Sequence, residues 1–338
     1  MAKKIKLADV AAQANVSIAT VSRVLNNASS VALSTRRRVL SALDLLGYER
    51  PEKLRNKNTA LVGIVTPELT NPIFPEITTS LSDALITQGY LPLIGTQTAG
   101  GATEDAYIEA LINQNAAGII FLSGRHADQT ATLDRYTRVA NAGIPFVTIN
   151  GANPHLTAPD FSTDNEVAVI KAIKHLTAQG HTRIGLATGP TRYWPAQTKV
   201  ETFHTELQKF PGVTGSHTAT LFTIGGGQVA ASQLINQGCT AIICASDVMA
   251  LGALRYCNTQ GLQVPKDISI IGFDDSPLMA FTQPPLTSVH QPVSAIAEAA
   301  VNTLTTLIQG NKSYVKSLVF TPELIVREST GIAPAEDT

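Results

Sequence analysis

Residues 16–26 read VSIATVSRVLN and combine small apolar, hydroxyl and guanidinium side chains at helical spacing. With Ser17 as the capping residue and about 100° of rotation per residue, the side chains divide between two faces of a short helix. The outward face is predicted to consist of Ile18, Ala19, Ser22, Arg23 and Asn26. The packed face is predicted to consist of Val21, Val24 and Leu25. The outward face suits the major groove of DNA, because Ala and Ile can contact thymine methyl groups and Arg can bond guanine O6 and N7.

A second group of polar and aromatic residues comes at or just after segments that read as buried strands. These residues are Asn71, Phe74, Ser123, Asn150, Phe222, Asp247 and Asp274. Ligands of open parallel sheets bind beyond the carboxyl ends of the strands, where we expect this group to lie. Carboxylates and amides bond neighbouring hydroxyls, and an aromatic face covers the C–H surface of a sugar ring, so the group suits a sugar. Other interpretations stay open, since Asp247 and Asp275 also stand where helix caps belong, and Phe222 alone is typical of a core residue.

The segments around residues 17–25 predict two further helices, and hence a helix-turn-helix with a supporting third helix. The first helix covers residues 7–14, and residues 15–16 make a tight connection to the second. Ser34 is predicted to cap the third helix, and Gly47 is predicted to end it. The apolar positions of the first and third helices that recur at helical spacing are Val10, Ala11, Ala14, Val39, Leu43 and Leu46.

Positive charge is concentrated at the amino end of the chain. Residues 1–58 contain 11 Lys or Arg and 4 Asp or Glu, whereas residues 59–338 contain 14 and 22. A basic head on an acidic remainder is typical of a nucleic-acid-binding module joined to another domain. Arg36, Arg37 and Arg38 lie in the first turn of the third predicted helix, where they oppose the helix dipole. A bound polyanion would relieve that repulsion, and a solvated basic face is the alternative interpretation.

From residue 60 onward, apolar runs alternate with helical segments. The first strands are predicted at ALVGIVT, LPLIGT, AGIIFLS and PFVTIN, and a second series at RIGLAT, TATLFT, TAIICA and ISIIGF. Helices are predicted near 75–89, 104–115, 130–142, 165–179, 197–209, 228–237 and 248–260. The pattern predicts an α/β fold, in which a small all-α helix-turn-helix headpiece precedes two doubly wound parallel lobes of four or five strands each. The GGG at 225–227 is interpreted as a loop that opens a helix.

Composition excludes several classes of protein. Hydrophobic residues make up 44% and charged residues 15% of the chain, which is typical of a compact soluble protein. The longest apolar runs are shorter than a membrane span, and Asp9 and Gln13 interrupt any signal peptide, so we expect a cytoplasmic protein without a membrane partner. Cys239, Cys244 and Cys257 lack metal-binding or redox spacing and are interpreted as core residues. We expect neither a metal nor another cofactor.

The motifs D-V-A, V-S-x-x-T-V-S-R-V-L-N and T-R-x-x-V occur together at the amino end, and this segment resembles the headpiece of the LacI/GalR family of bacterial transcriptional repressors. The resemblance implies a homodimer that places two such helices in the half-sites of a near-palindromic, double-stranded operator. It implies that Ile18, Ala19 and Arg23 read bases. The residues implied to contact the DNA backbone are Ser17, Thr20, Ser22, Asn26, Thr35 and Tyr48. Arg37 is expected to contribute to binding at every sequence through phosphate contact.

The resemblance extends through the body of the chain, including NPIF (71–74), DN (164–165), P-x-D-I-S-I-I-G-F-D-D (265–275) and PPLTSV (284–289). It implies a fold similar to periplasmic sugar-binding proteins, with two lobes that close on an effector. The implied pocket residues are Asn71, Ile73, Phe74, Ser123, Asn150, Asp164, Lys199, Phe222, Ser246, Asp274 and Gln291. The family commonly has Arg after the GP at 189–190, whereas this chain has Gln197 and Lys199. Because Lys lacks the planar fork of Arg, the identity of the effector does not carry over.

The hinge departs from the family pattern. Relatives usually carry a segment resembling N-x-x-A-R-x-L, whose leucine enters the minor groove, but residues 48–63 lack the A-R pair. Leu54 is the one candidate for that leucine, and a plain basic linker is the alternative. The predicted domains are a headpiece (1–49), a hinge (50–60), a first lobe (61–162 and 292–321), a second lobe (163–291 and 322–330) and a tail (331–338).

The function implied is a sequence-specific regulator, a repressor of a carbohydrate-utilisation operon. A sugar, sugar phosphate, polyol or nucleoside between the lobes would control it, and a phosphoprotein corepressor stays open as an alternative. The end of the chain carries no leucine heptads, so a dimer is expected rather than a tetramer. A solute-binding protein would need an export signal. An enzyme is not expected, because the sequence has no nucleophile elbow and no phosphate-binding loop.

Overall fold

The amino-terminal part is a bundle of short helices. The computed structural model of the protein describes residues 5–25, 31–48, 60–97, 101–311 and 317–335. The first two of these ranges contain helices α1 (Leu7–Ala14), α2 (Ile18–Leu25) and α3 (Leu33–Leu46). Their apolar sides meet in one buried cluster that includes Val10, Val21 and Val39. The predicted helix-turn-helix and its supporting helix are confirmed.

The ends of these helices follow local backbone chemistry. Ser17 Oγ accepts a hydrogen bond from Thr20 N (3.1 Å), as predicted for the cap of α2. Gly47 ends α3 with φ 63°, a left-handed conformation that costs glycine little. The predicted cap at Ser34 is wrong: Ala32 is the N-cap, and its carbonyl accepts from Arg36 N (2.9 Å). The first turn therefore closes on Ala32, and Ser34 lies inside the helix.

The first α/β lobe is built on a parallel sheet. In chain order its strands are β1 (Leu61–Thr66), β2 (Leu91–Thr96), β3 (Gly118–Leu122), β4 (Phe146–Ile149), β5 (Asp160–Thr163) and β11 (Ser317–Phe320). Within the described residues the spatial order is β11-β5-β4-β3-β1-β2. The helices of this lobe are α4 (Ile73–Thr87), α5 (Glu104–Asn113), α6 (Asp134–Asn141) and α11 (Val293–Ile308). Helices α4 and α11 pack on one face of the sheet, and α5 and α6 pack on the other.

The second lobe repeats this arrangement. Its strands are β6 (Arg183–Thr188), β7 (Thr214–Ala219), β8 (Ala241–Cys244), β9 (Ser269–Asp274), β10 (Thr287–His290) and β12 (Glu323–Ile325). Their spatial order is β12-β10-β9-β8-β6-β7, and β12 is antiparallel to β10. The helices are α7 (Asn165–Ala178), α8 (Trp194–Leu207), α9 (Ile224–Asn236) and α10 (Asp247–Thr259). Helices α7 and α8 pack on one face of the sheet, and α9 and α10 pack on the other. The predicted α/β fold class is thus confirmed.

The sequence underestimated the number of strands. Each sheet has six strands in the described parts of the chain, rather than four or five. The segment KSLVFTPELIVRE predicts the closing strands, which are β11 and β12. The strands that the sequence does not predict are β5 and β10, which read DFST and TSVH and carry no apolar run. They are buried because their hydroxyls have partners: Ser162 Oγ donates to Asp160 Oδ1 (2.5 Å) and Ser288 Oγ donates to Asp247 Oδ1 (2.6 Å). Hydrogen-bonded hydroxyls can replace apolar side chains in a buried strand without leaving an unpaired polar group.

Two predictions around residues 214–227 are wrong. The strand predicted at residues 218–223 is β7, which covers Thr214–Ala219, so Phe222 follows the strand rather than lying in it. The GGG at 225–227 lies within α9 and does not form a loop, since Thr223 is the N-cap. A Cβ at Gly227 would lie 2.0 Å from Met249 O, in α10. Gly227 is needed because α9 and α10 approach so closely at this point that a side chain would collide with the backbone of α10.

The two lobes are joined by several passages of the chain. Within the described ranges it passes from the first sheet to the second after β5, returns between β10 and α11, and passes again between β11 and β12. Several strands point their carboxyl ends into the space between the lobes, which contains a cavity of about 220 Å³. No helix in the described parts of the chain is long and apolar enough to cross a membrane.

Candidate functional sites

The exposed face of α2 carries the side chains that were predicted to read DNA bases. Ile18, Ala19 and Arg23 are exposed, with Ile18 at 52%. Val21, Val24 and Leu25 are buried against the other helices, as the helical spacing predicted. The exposed face of α2 thus presents an apolar side chain and a guanidinium group together, which is the combination that suits the edges of bases in a DNA groove.

The side chains predicted to contact the DNA backbone surround this face. Ser17 is exposed, Thr20, Ser22 and Thr35 are half-buried, and Tyr48 packs against the apolar cluster of the helices. The arginine run is not uniform: Arg37 and Arg38 are exposed, but Arg36 is buried, so the run does not act as a single basic surface. Asn26 and Leu54 lie outside the described residues.

The interlobe cavity brings together ten of the eleven residues predicted for the effector pocket. From the first lobe these are Asn71, Ile73, Phe74, Ser123 and Asn150, and from the second lobe and the crossings Lys199, Phe222, Ser246, Asp274 and Gln291. The exception is Asp164, which caps α7 by accepting from Val167 N (2.9 Å). Asp164 therefore serves as the N-cap of α7 and does not line the cavity.

The floor of the pocket is a buried chain of hydrogen bonds that joins the lobes. Gln291 Nε2 donates to Asp274 Oδ1 (2.7 Å), and Thr163 Oγ1 donates to Gln291 Oε1 (2.7 Å). Asp274 is only 5% exposed. Burial, together with the nearby Asp247, raises the pKa of Asp274 well above its usual value. Gln291 therefore connects the end of β5 in one lobe to the end of β9 in the other.

Lys199 is the cationic side chain among the described residues that line the pocket. Its Nζ lies 4.0 Å from the centroid of the Phe273 ring and donates to Asn165 Oδ1. Burial lowers the pKa of Lys199 to about 8, and the negative charge of Asp274 opposes that shift. The ammonium group is thus held by an amide oxygen and an aromatic face, and Asp274 lies close enough to offset its charge.

The pocket contains acceptors that no described residue satisfies. Asp274 Oδ2 and Asn71 Oδ1 are buried, and neither has a hydrogen-bond partner among the described residues. Leaving a buried acceptor unpaired costs about 1–3 kcal/mol, so each oxygen is suited to a ligand hydroxyl. Asn150 also belongs to the polar wall, since its Nδ2 donates to Ser123 Oγ (2.8 Å).

Backbone strain marks the same place. Ser123, Asn150 and Asp274 follow or end strands β3, β4 and β9, and their φ angles are 45°, 60° and 118°. Residues other than glycine rarely adopt positive φ, and such residues concentrate at binding sites. The strain turns these side chains from the sheets toward the cavity.

Asp247 neither lines the pocket nor caps α10, the two roles that the sequence left open for it. Ser246 caps α10, because its Oγ accepts from Met249 N (3.4 Å). Asp247 is fully buried and accepts from Ser276 N (2.7 Å) and Ser288 Oγ (2.6 Å). Asp275 is not a cap either, since it pairs with Arg327 at 2.6 Å. Both aspartates stabilise the turn after β9 that presents Asp274.

Several wall residues were not identified from the sequence. They are Pro67, Glu68, Ile77, Ala127, Tyr193, Pro195, Ala196, Ala245 and Phe273. The sequence predicts Phe273 as a buried strand residue. It is a core residue and also a wall residue, because its ring packs in the core and contacts Lys199. Tyr193 lies five residues beyond the end of β6, too far from the strand to be found by looking at strand ends. The adjacent GP at 189–190 was a usable signal.

The geometry defines a class of protein: a helix-turn-helix headpiece joined to two lobes that enclose a small-molecule pocket. Residues 6–51 match the family described as bacterial regulatory proteins, lacI family, and residues 173–330 match the periplasmic binding protein-like domain. The HTH-type transcriptional regulator MalR of Streptomyces coelicolor is 52% identical, over 98% of each chain. The HTH-type transcriptional regulator reg1 of Streptomyces lividans is also 52% identical, over 98% of each chain. The chain therefore belongs to the LacI family of bacterial transcriptional regulators.

Solved structures agree with this assignment. The transcriptional regulator CelR in complex with cellobiose has a TM-score of 0.72 and 28% identity, covering 96% of this chain and 99% of that one. The lac repressor dimer bound to operator and the anti-inducer ONPF has a TM-score of 0.69 and 26% identity, covering 97% and 100%. The resemblance inferred from the sequence motifs is confirmed along the whole chain.

Proposed function

We propose that this protein is a repressor of a carbohydrate-utilisation operon, and that a sugar or sugar-like effector bound between its lobes controls its affinity for operator DNA. It would act in the cytoplasm as a homodimer, with the headpiece, hinge, lobes and tail divided as predicted from the sequence. An effector can change operator affinity only by its different affinity for two arrangements of the lobes.

The observation that carries this proposal is the pair of unsatisfied, buried acceptors at the floor of the pocket. Asp274 and Asn71, which carry these acceptors, line a cavity whose walls include the rings of Phe74, Phe222 and Tyr193. A ligand that offers hydroxyl donors on one side and C–H surface on the other satisfies both features. Sugars have that chemistry, and cellobiose in the CelR complex supports the same class of ligand.

The charge of the pocket favours a neutral effector over a phosphorylated one. Lys199 Nζ already donates to Asn165 Oδ1 and lies over the Phe273 ring. Asp274 and Glu68 add carboxyl groups to the lining. A phosphate would have to compete with these carboxylates for a single ammonium group, because Gln197 stands where relatives carry a forked arginine.

Dimerisation is supported by apolar surface that no described element covers. Phe281 is 84% exposed and Leu278 is 64% exposed on the 3-10 helix at Pro277–Phe281. Leu221, which precedes α9, and Ile224, its first residue, are exposed as well. A twofold dimer would place two headpieces on half-sites separated by one helical turn, about 34–36 Å.

A thermal-shift screen combined with a gel shift tests the proposal. Neutral sugars, polyols, sugar phosphates and nucleosides are screened, and a ligand at 100 times its Kd is expected to stabilise the protein by about 2.7 kcal/mol. The same ligand is then expected to change the affinity for a near-palindromic operator by about fivefold or more. The proposal would be wrong if no carbohydrate raised the melting temperature, or if a stabilising sugar left operator binding unchanged.

A further inference from the structure

The two lobes touch at the mouth of the pocket through their backbones. Residues 125–130 of the first lobe and residues 190–197 of the second lobe, together called the mouth contact, form an isolated antiparallel bridge between Asp128 and Tyr193. Gln129 N donates to Arg192 O (2.9 Å), and Gln129 Nε2 donates to Gln197 Oε1. The pairing resembles a short piece of sheet, and it exists only while the lobes are together.

An ion pair anchors this contact. Arg192 Nε donates to Asp128 Oδ2 (3.1 Å), and the Asp128 side chain is 1% exposed. Asp128 Oδ1 is occupied within its own lobe, because it accepts from Thr130 N (3.0 Å) and Thr130 Oγ1 (2.7 Å). Oδ2 bonds Arg192 across the mouth and also lies 3.5 Å from Arg125 Nη1 of its own lobe, so Arg192 provides its shorter ion pair. Burial alone would raise the pKa of Asp128, but the bonds from Thr130 and Arg192 lower it below its usual value.

The same contact places an aromatic wall on the pocket. The guanidinium carbon of Arg192 lies 4.8 Å from the centroid of the Tyr193 ring, and Arg192 Nη2 donates to Tyr193 Oη (3.1 Å). Tyr193, Pro195 and Ala127 line the pocket, so both sides of the mouth contact contribute to its surface. If the lobes separated at the mouth, Tyr193 would lose the pairing that fixes its backbone.

We propose that Asp128 and Arg192 are positioning residues that hold the lobes closed across the mouth and fix Tyr193 as the outer wall of the pocket. The wall is then complete only in the closed arrangement, so closure and effector binding are linked. At the floor of the pocket, near Gln291, the chain itself crosses from one lobe to the other. At the mouth, the lobes are joined only by noncovalent contacts. A small change in the strength of the mouth contact therefore shifts the balance between closed and open lobes.

The chain provides its own reporter for this balance. Trp194 is the single tryptophan of the sequence, and it follows Tyr193 directly. Its indole Nε1 is buried. Because Trp194 adjoins the mouth contact in the chain, we expect opening of the mouth to raise the exposure of the indole, so quenching of its fluorescence by acrylamide reports the change. Neither DNA nor a ligand is required.

Asp128→Asn and Arg192→Gln are each compared with the full-length parent protein. Asp128→Asn keeps an oxygen for Thr130, and Arg192 is exposed, so both variants should fold. Each is expected to raise the acrylamide quenching constant at least twofold. The double variant should equal the single variants, because both substitutions remove the same contact. Arg192→Lys keeps the charge without the planar fork and should give an intermediate value.

Arg138→Gln is the matched control. Arg138 pairs with Asp105 and Glu109 within the first lobe and makes no interlobe contact among the described residues, so quenching should stay at the parental value. Far-UV circular dichroism establishes that each variant is folded. An Asp128→Asn protein that is folded but quenched like the parent overturns the proposal, as does a double variant whose effect is the sum of the singles.

The proposal rests on the proposed function only in naming the pocket as an effector site. A positive quenching result with a negative sugar screen would support the mouth contact and contradict the effector class. The reverse pair of results would contradict the mouth contact alone.

Discussion

The headpiece exposes the side chains of its binding face to solvent, whereas the lobes bury the side chains of their pocket. In α2, Ile18 and Arg23 face solvent, with Ile18 52% exposed. In the pocket, Asn71, Lys199 and Asp274 are 6%, 6% and 5% exposed. An exposed helix face can dock into an extended polyanion without opening the protein, whereas a buried pocket has already paid the desolvation of its polar groups and can select a small ligand. The two sites are thus tested by different measurements.

Among the predictions, the largest expected effect is on the pH dependence of stability, because the lobes bury the carboxyl group of Asp160. Asp160 accepts from Thr148 Oγ1 (2.8 Å) and Ser162 Oγ (2.5 Å), but burial raises its pKa to about 6. The folded state then binds more protons than the unfolded state between the ordinary pKa and pH 6. Stability from Asp160 is present below about pH 4 and is lost as the pH rises through 6.

Asp160→Asn should remove this dependence. Relative to the variant, the parent is expected to lose about 3 kcal/mol of unfolding free energy between pH 3 and pH 7, as measured by urea unfolding at fixed pH steps. If the unfolding free energies of the two proteins changed with pH in parallel, the pKa of Asp160 would not be raised in the folded protein. Asp134→Asn, at an exposed position in α6, is the control and should follow the parent.

The pocket should be separable from the headpiece by a change at Asp274. Asp274→Asn keeps the size of the side chain but removes its charge, and its amide nitrogen would confront either Gln291 Nε2 or a ligand hydroxyl. Affinity for the strongest ligand of the thermal screen is expected to fall about 100-fold, or about 2.7 kcal/mol, by calorimetry. Operator affinity of the ligand-free protein should stay within about twofold, because the headpiece is unchanged. If Asp274→Asn reduced ligand affinity and operator affinity equally, the pocket and the headpiece would not be separable.

The close approach of α9 and α10 should be measurable with two neighbouring glycines. Gly227→Ala places a Cβ 2.0 Å from Met249 O and should destabilise the protein by about 2 kcal/mol in urea unfolding. Gly225→Ala meets nothing closer than 4.0 Å and should be neutral, or stabilise by about 0.5 kcal/mol, because alanine favours helix. If both variants behaved alike, helix propensity rather than packing would explain the glycines.

The headpiece should show the smallest effects, divided between specificity and general affinity. Arg23→Ala is expected to cost about 1.5 kcal/mol and to relax preference at one base position, because a guanidinium bonds a guanine edge. Arg37→Ala should weaken binding to all sequences similarly and reduce the salt slope by about one unit. Gel shifts at several salt concentrations measure both. Identical behaviour of the two variants would contradict the division of roles.

Sequence reasoning predicted the elements well where one face of a helix or an apolar strand decided the outcome. The first two headpiece helices, the core of β1 and most pocket residues followed from period and from position at strand ends. It missed β5 and β10, because their burial depends on hydroxyl partners such as Asp160 and Asp247, which are distant in the sequence. It also missed Tyr193, whose place on the pocket depends on the contact with Asp128.

The sequence by itself determined which side chains would be exposed on α2 and which polar residues would end the strands, since helical and strand periods are local properties of the chain. The motifs also determined the family. Only the tertiary structure decided that Asp164 and Ser246 are caps, that Asp247 is buried beneath the turn presenting Asp274, and that two acceptors remain unpaired between the lobes. Those outcomes depend on which groups from remote segments meet, and hydrogen-bond satisfaction in a buried site is a property of the assembled neighbours rather than of any one residue.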